Sequence, residues 1–403
     1  SARGRVTAFE ITLAVAGSFA AIGAEDPAPD GVDAVRPISL ADAGHRAIPY
    51  FARKYGVACS TCHVTPPKLN EVGEEFLARG YRFPDGRPEN RTLPAALWVS
   101  TRGDWQAGPE ESVPYVNRVE LISGGPIFGD SRSYFLEWRA VSLEAQPDGS
   151  LRDRSGRFED LFVQQELSSD LLLVLGQFRM LTQVDVSRRL SLSEPAALST
   201  SLAGDPATTP RLTSLRGFSQ AGRSPAVRLQ LHRRVAGRSA ADGWYVLANV
   251  PWPGELSIPL TGEARENASF ELEGRPKGVF LESYYRRSLA TAGVHAFVGD
   301  DRWLAGGIGT LRHGPWFSAV ELTLAHRGES FGRWTWDNEW IPSPWIALGL
   351  RVEDRAGDGL DPAAAPYANA HWPGTRYTLR LTVEHRVQNG RRASTAVELG
   401  MVF

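Results

Sequence analysis

From residue 94 to residue 403 the chain alternates apolar and polar positions with a period of two, in segment after segment separated by Gly, Pro, Asp and Asn. In "RYTLRLTVEHR", Tyr377, Leu379, Leu381 and Val383 share one face, and Arg376, Thr378, Arg380, Thr382 and Glu384 share the other. "VRLQLH" sets Val227, Leu229 and Leu231 against Arg228, Gln230 and His232. "RWTWDNEW" sets Trp334, Trp336 and Trp340 against Arg333, Thr335, Asp337 and Glu339. Each reads as a strand with one greasy and one charged face.

A soluble sandwich would also alternate, so further features decide. The segments run to about nine to twelve residues, the length of a tilted strand that crosses a bilayer. Trp98, Trp105, Tyr134, Trp244, Trp252, Trp303, Trp316, Trp345 and Trp372 fall near segment ends, where interfacial girdles sit. "STAVELGMVF" carries Val397, Leu399, Met401 and Phe403 on one face, like a closing strand. These features predict a mainly β protein, a transmembrane antiparallel barrel over residues 94–403. Fifteen segments are evident, from 97–105 to 394–403, and barrels of this kind use an even number of strands. The weakly patterned "RLTSLRGFSQ", 211–220, is the expected sixteenth; 179–211, 251–277 and 354–374 read as connections.

The first residues differ. "FEITLAVAGSFAAIGA", Phe9–Ala24, is too short an apolar run to span a bilayer and ends in small residues, with Ala21 and Gly23 placed for cleavage. It predicts an export signal over 1–24, followed by a linker over 25–44. With 44 Lys and Arg against 46 Asp and Glu, the net charge of −2 argues against a nucleic-acid partner. Nearly all the cations are arginine. Within the barrel, Glu120, Glu137, Glu166, Glu282, Asp337 and Glu353 stand opposite Arg118, Arg139, Arg179, Arg286, Arg333 and Arg351, which predicts interior charge pairs narrowing a pore.

The sequence contains two cysteines, and both lie in "ACSTCHVTP". Two residues between them staple almost no loop, so a disulfide gains little, and no further cysteines supply a second pair of zinc ligands. Cys59, Cys62 and His63 form C-x-x-C-H, the attachment motif of haem c: two thiols add to the two vinyl groups of a porphyrin and the adjacent histidine reaches the iron. The flanks predict a small helical haem domain over 45–93. Phe51 and Tyr55 lie one helical turn apart upstream; Leu69, Val72, Phe76 and Leu77 form a stripe downstream, behind prolines placed to start a helix. Phe51, Tyr55, Leu69, Phe76 and Tyr81 are the expected haem-packing residues. A unit this small buries little surface, so its cover is expected from the barrel mouth.

The opposite axial ligand stays open between His45, ahead of the motif, and His232, on a polar face, with a water-ligated iron close behind. Met180 is the third residue considered, but its parity with Leu172, Val174 and Phe178 turns it toward lipid. His326 and His385 follow apolar parity; His313 and His371 read as turn residues. No Gly-rich phosphate loop, H-E-x-x-H or serine-nucleophile motif is present in the sequence.

"PYFARKYGVACSTCH", followed by Pro67, Leu69, Asn70, Gly73, Phe76, Gly80 and Tyr81 at their spacing and joined to a barrel, resembles the fused monohaem cytochrome–porins of bacterial outer membranes, of which iron(II)-oxidising members are best known. The resemblance implies one haem c, one-electron transfer across the outer membrane and a periplasmic cytochrome as partner. It also implies Fe(II) as a donor, which would make the protein an iron(II):cytochrome oxidoreductase rather than only an electron carrier. The function of a different class is a diffusion porin whose haem domain gates or plugs the channel.

Overall fold

The computed structural model describes residues 50–83, 95–106, 114–127, 131–145, 150–182, 190–192, 223–252, 254–256, 270–272, 278–288, 290–299, 303–327, 329–356, 360–373, 378–388 and 392–403. Among them sixteen long strands close into one antiparallel barrel: β1 Ala96–Gln106, β2 Tyr115–Pro126, β3 Arg132–Ala145, β4 Arg157–Ser168, β5 Leu171–Arg179, β6 Arg223–Arg234, β7 Gly243–Pro251, β8 Gly278–Arg287, β9 Ala290–Gly299, β10 Trp303–His313, β11 Trp316–Arg327, β12 Glu329–Ser343, β13 Ile346–Ala356, β14 Leu360–Pro373, β15 Thr378–Gln388 and β16 Arg392–Val402. Each pairs with its chain neighbour. The ring closes where β16 meets β1, with Val402 opposite Trp98 and Leu97 and Phe403 exchanging backbone hydrogen bonds of 2.8 and 3.0 Å.

The burial pattern is inverted relative to a water-soluble fold. On β6, Leu229 and Leu231 are 45% and 46% exposed while Arg228 and His232 are buried; on β12, Trp336 is exposed while Asp337 and Glu339 are buried. Closure satisfies the backbone groups that hydrocarbon cannot, and an apolar outer belt meets that hydrocarbon. The barrel is therefore built to span a membrane. No helix among the described residues is long and apolar enough to do so. Arginine in place of Leu229, midway along β6, is expected to cost about 2–4 kcal/mol, read as a lower urea midpoint for the barrel folded into lipid vesicles.

All fifteen expected segments fall on strands. The sixteenth strand is β14, "LDPAAAPYANAHWP", within the stretch 354–374 that read as a connection; 211–220 lies outside the described residues. Three prolines and a run of alanines hid it, because alanine gives no polar–apolar contrast. Pro366, opposite Leu350, sits on the outer face. Trp98, assigned by sequence to the interfacial girdle, faces inward opposite Glu120. There it packs against the cluster of Tyr50, Ala96 and Val402, with the guanidinium groups of Arg118 and Arg380 5.7 and 5.8 Å from its ring centre.

Charge pairs line much of the lumen. Arg139 reaches Glu120 and Glu159, each at 2.9 Å, and Arg223 pairs with Glu159 and, at 3.2 Å, with Asp160. Arg351 lies 3.4 and 3.5 Å from Glu353 and Glu384. Glu166, expected inside, is instead exposed at a strand end, 4.0 Å from Arg82. Chain from beyond β5 also enters the lumen: Met180, Leu181 and Leu190 are buried, the Leu190 carbonyl accepts from Asn369 at 2.8 Å, and Ser191 Oγ accepts from Arg351 at 2.9 Å.

Met180 thus does not face lipid. The register places Val174 opposite the inward Arg228, so the even-numbered face of β5 is the inner one. It is apolar because it packs with Leu181, Phe280, Phe297 and Leu304 in an interior cluster.

Candidate functional site

The segment Tyr50–Phe83 comprises helix α1 (Tyr50–Tyr55), a 3₁₀ turn over Cys59–Thr61, a short antiparallel pair formed by His63–Thr65 and Lys68–Leu69, and helix α2 (Glu71–Ala78). Asn70 organises the motif. Its Oδ1 accepts from Gly73 N at 3.0 Å, capping α2, while its Nδ2 donates to the Ser60 and Thr61 carbonyls at 3.2 and 3.1 Å. Its backbone N–H donates to the Cys62 carbonyl at 2.9 Å. The cap is thus Asn70 rather than the prolines, which lie in the hairpin turn. Gly73 is required because a Cβ there would stand 2.1 Å from the Cys62 carbonyl oxygen. Asn70→Ala removes the cap and both side-chain bonds at once. It is expected to lower stability by about 1–3 kcal/mol, read as a lower melting temperature in near-UV circular dichroism.

The end of α2 explains "GY". Gly80, at φ +65°, occupies the left-handed position. Tyr81 N donates to Phe76 O at 2.9 Å and Gly80 N to Leu77 O at 3.1 Å, a Schellman closure. Its accompanying apolar contact joins Tyr81 and Phe76, with ring centroids 6.1 Å apart. These rings belong to an aromatic nest with Tyr55, Val57 and Phe83, against which Phe51, Cys62 and Leu77 pack. The wall contributes Phe135 of β3, stacked on Tyr81 at 5.6 Å. Of the expected stripe, Phe76 is buried, Leu77 packs on the nest and Leu69 is half-buried beside Gly73, but Val72 is 41% exposed. Val72 turns outward because α2 has one narrow contact face, centred on Gly73 and Phe76.

The segment meets the wall at the rim where β1 begins and the even-numbered strands end. Tyr50 packs on Ala96 and Val402. Gly124, on β2, admits the Phe51 ring, which a Cβ would approach to 3.0 Å. Arg82 Nη2 donates to the Arg132 carbonyl at 2.8 Å. Glu74 pairs with Arg286 at 2.7 Å. Lys68 pairs closely with Glu339 and lies 3.2 Å from the centre of the Phe317 ring, and Val64 packs against Ile341, Ala347 and Tyr367. The anchors span the mouth from β1 round to β16.

Cys59 and Cys62 form no disulfide, and both are half-buried. His63 Nδ1 lies 3.1 Å from the Pro67 carbonyl oxygen. A carbonyl only accepts, so Nδ1 carries the proton and Nε2 keeps its lone pair, the arrangement a metal-ligating imidazole needs. Burial pushes the imidazole below its usual pKa, against hydrogen bonds to the Pro67 and Lys68 backbone and the Glu74 charge.

The candidates for the opposite ligand separate. His45 lies outside the described residues, as do the expected signal and linker. His232 faces inward but is already engaged: its ring stacks on Tyr245 at 3.9 Å and its Nε2 lies 3.3 Å from the Asp242 carbonyl. Met180 is buried in the interior cluster with Phe178 and Leu304. His371, read as a turn residue, lies within β14 and is 3% exposed. The alternation in "YANAHW", with Tyr367, Asn369 and His371 on one parity, was the available signal. Among the described residues no group of three or more His, Cys, Asp or Glu side chains is set to hold a bare metal ion.

Neither protein families nor curated proteins match the chain by sequence. Solved structures similar to it include OprB of Pseudomonas putida at high pH, 10% identical over 82% of this chain and 96% of that one, TM-score 0.49. A loop-deletion mutant of OmpT, an outer membrane protein of Vibrio cholerae, is 7% identical over 77% and 99%, TM-score 0.44. A triple mutant of the Rhodopseudomonas blastica porin is 10% identical over 77% and 99%, TM-score 0.43.

Proposed function

We propose that the protein carries single electrons across the bacterial outer membrane through one haem c attached at Cys59 and Cys62, taking them from extracellular Fe(II) and passing them to a periplasmic cytochrome. The observation that carries this reading is the seating of a C-x-x-C-H segment within a ring of anchors in the barrel mouth, where the wall supplies the cover that so small a segment lacks. The residues fit the group. The thiols form no disulfide, the Pro67 carbonyl leaves His63 Nε2 as the ligating nitrogen, and the aromatic nest covers the Cys62 side. Bound there, haem c supplies a one-electron iron couple. The charge pairs and the inward chain at Met180–Leu181 and Leu190–Leu192 support a conduit rather than an open passage for solutes.

Spectroelectrochemistry of the detergent-solubilised protein, titrated with Fe²⁺ across a range of pH, tests it. Reduction of the haem by Fe²⁺ and reoxidation by a soluble c-type cytochrome is the expected result. Haem that stays oxidised under all these conditions eliminates Fe(II) as donor. The second reading, a plugged diffusion porin, is favoured by strand number alone, because sixteen-stranded barrels are wide enough for an aqueous channel. It predicts steady conductance of small ions in planar bilayers, where the conduit predicts little.

A further inference from the structure

His371 is the least explained polar side chain of the inner wall. It is 3% exposed, and neither Nδ1 nor Nε2 has a hydrogen-bond partner among the described residues. A buried imidazole left without partners is destabilising. Its position is nevertheless well defined: its backbone N–H donates to the Trp345 carbonyl at 2.8 Å, and it stands opposite Arg380 of β15 in the ladder. Tyr367 and Asn369, its inward neighbours on β14, are fully engaged. Tyr367 Oη lies 2.6 and 2.9 Å from Asp337 and Glu339 carboxylate oxygens, and Asn369 bonds the Leu190 carbonyl and Thr382.

The motif is docked on this same arc of wall. Val64, next to His63, packs against the cluster of Leu190, Ile341, Ala347 and Tyr367, and Lys68 pairs with Glu339. His63 thus sits beside the arc of wall that carries His371, two residues beyond Asn369, the ladder partner of Ala347. His63 has its Nδ1 proton committed to a carbonyl, and His371, on the arc where the motif docks, has neither ring nitrogen bonded among the described residues.

We infer that His371 is the second axial ligand of the haem iron, opposite His63, so that the wall of the barrel and not the cytochrome segment completes the coordination sphere. This rests on the haem reading of Cys59, Cys62 and His63. Ligation would give His371 the partner it lacks and would make the redox centre a joint product of β14 and the plug.

The test uses full-length, detergent-solubilised protein. Pyridine haemochrome and haem staining of denaturing gels report attachment; electron paramagnetic resonance and near-infrared magnetic circular dichroism of the ferric form report ligation. Wild type is expected to be low-spin with a bis-histidine signature. His371→Ala should keep covalent haem and lose that signature to a high-spin form, restored by added imidazole. His371→Met should move it to a histidine–methionine signature with a raised reduction potential. Heat-modified gel migration identifies folded barrels in each variant. If both variants attach haem, fold and keep the wild-type signature, His371 is not the ligand and the haem reading stands. If wild type itself attaches no haem, both fall.

Discussion

Alanine at both Cys59 and Cys62 is expected to abolish covalent haem, with complete loss of haem staining on a denaturing gel and no loss of membrane insertion. Among the described residues no strand of the barrel pairs with the plug; apart from one another the strands pair only with the short Leu151–Asp153, beside β3, so the insertion-competent sheet does not depend on the thiols. The single replacements separate the two bonds. Cys59→Ala and Cys62→Ala each leave one thioether, so each should retain stain while the pyridine haemochrome band shifts to that of a one-bond haem. Cys62 packs against the aromatic nest, so its replacement should also loosen the packing around Phe76. A normal two-bond spectrum in either single variant would remove the attachment assignment.

The second large effect is expected at Lys68 and Glu339. Both are buried inside the barrel, at 8% and 1% side-chain exposure, and they pair closely. Glu339→Ala leaves a buried ammonium short of its carboxylate and removes one of the two acceptors near the Tyr367 hydroxyl, at 2.9 Å. Removing one partner of such a pair costs about 3–5 kcal/mol. Lys68→Met joined with Glu339→Gln removes both charges and should recover most of that loss, a coupling that a double-mutant cycle measures directly. Denaturant unfolding followed through the aromatic circular dichroism of the plug supplies the readout. Equal losses in the single and double variants would show that the pair does not hold the plug.

Most of the barrel was legible because strand-facing chemistry is local. Over the middle of β6, β12 and β15 inward residues are mostly polar and outward ones mostly apolar, so period two reports the fold directly. The failures share one cause. In β14, alanines occupy inner positions such as Ala363 and Ala365 and outer ones such as Ala364 and Ala368, and prolines replace expected contrast, so nothing local marks the face. In β5 the inner face is apolar because chain from Met180 onward folds onto it, a tertiary fact invisible from Leu171–Arg179 itself. The motif showed the same division. C-x-x-C-H, Asn70, Gly73 and Gly80–Tyr81 were readable as a unit, because their roles are set within a few residues. His371 was not, since its significance depends on which strand the plug docks against, about 300 residues along the chain.

The aromatic nest of Tyr50–Phe83 is completed by Phe135 of the wall, and its anchors run from Tyr50 on Val402 to Lys68 on Glu339. A segment of this length lacks the buried area to be stable alone. The plug and barrel therefore form one thermodynamic unit: the plug contributes no separate unfolding step, and every anchor lost from it is subtracted from the stability of the sheet that surrounds it.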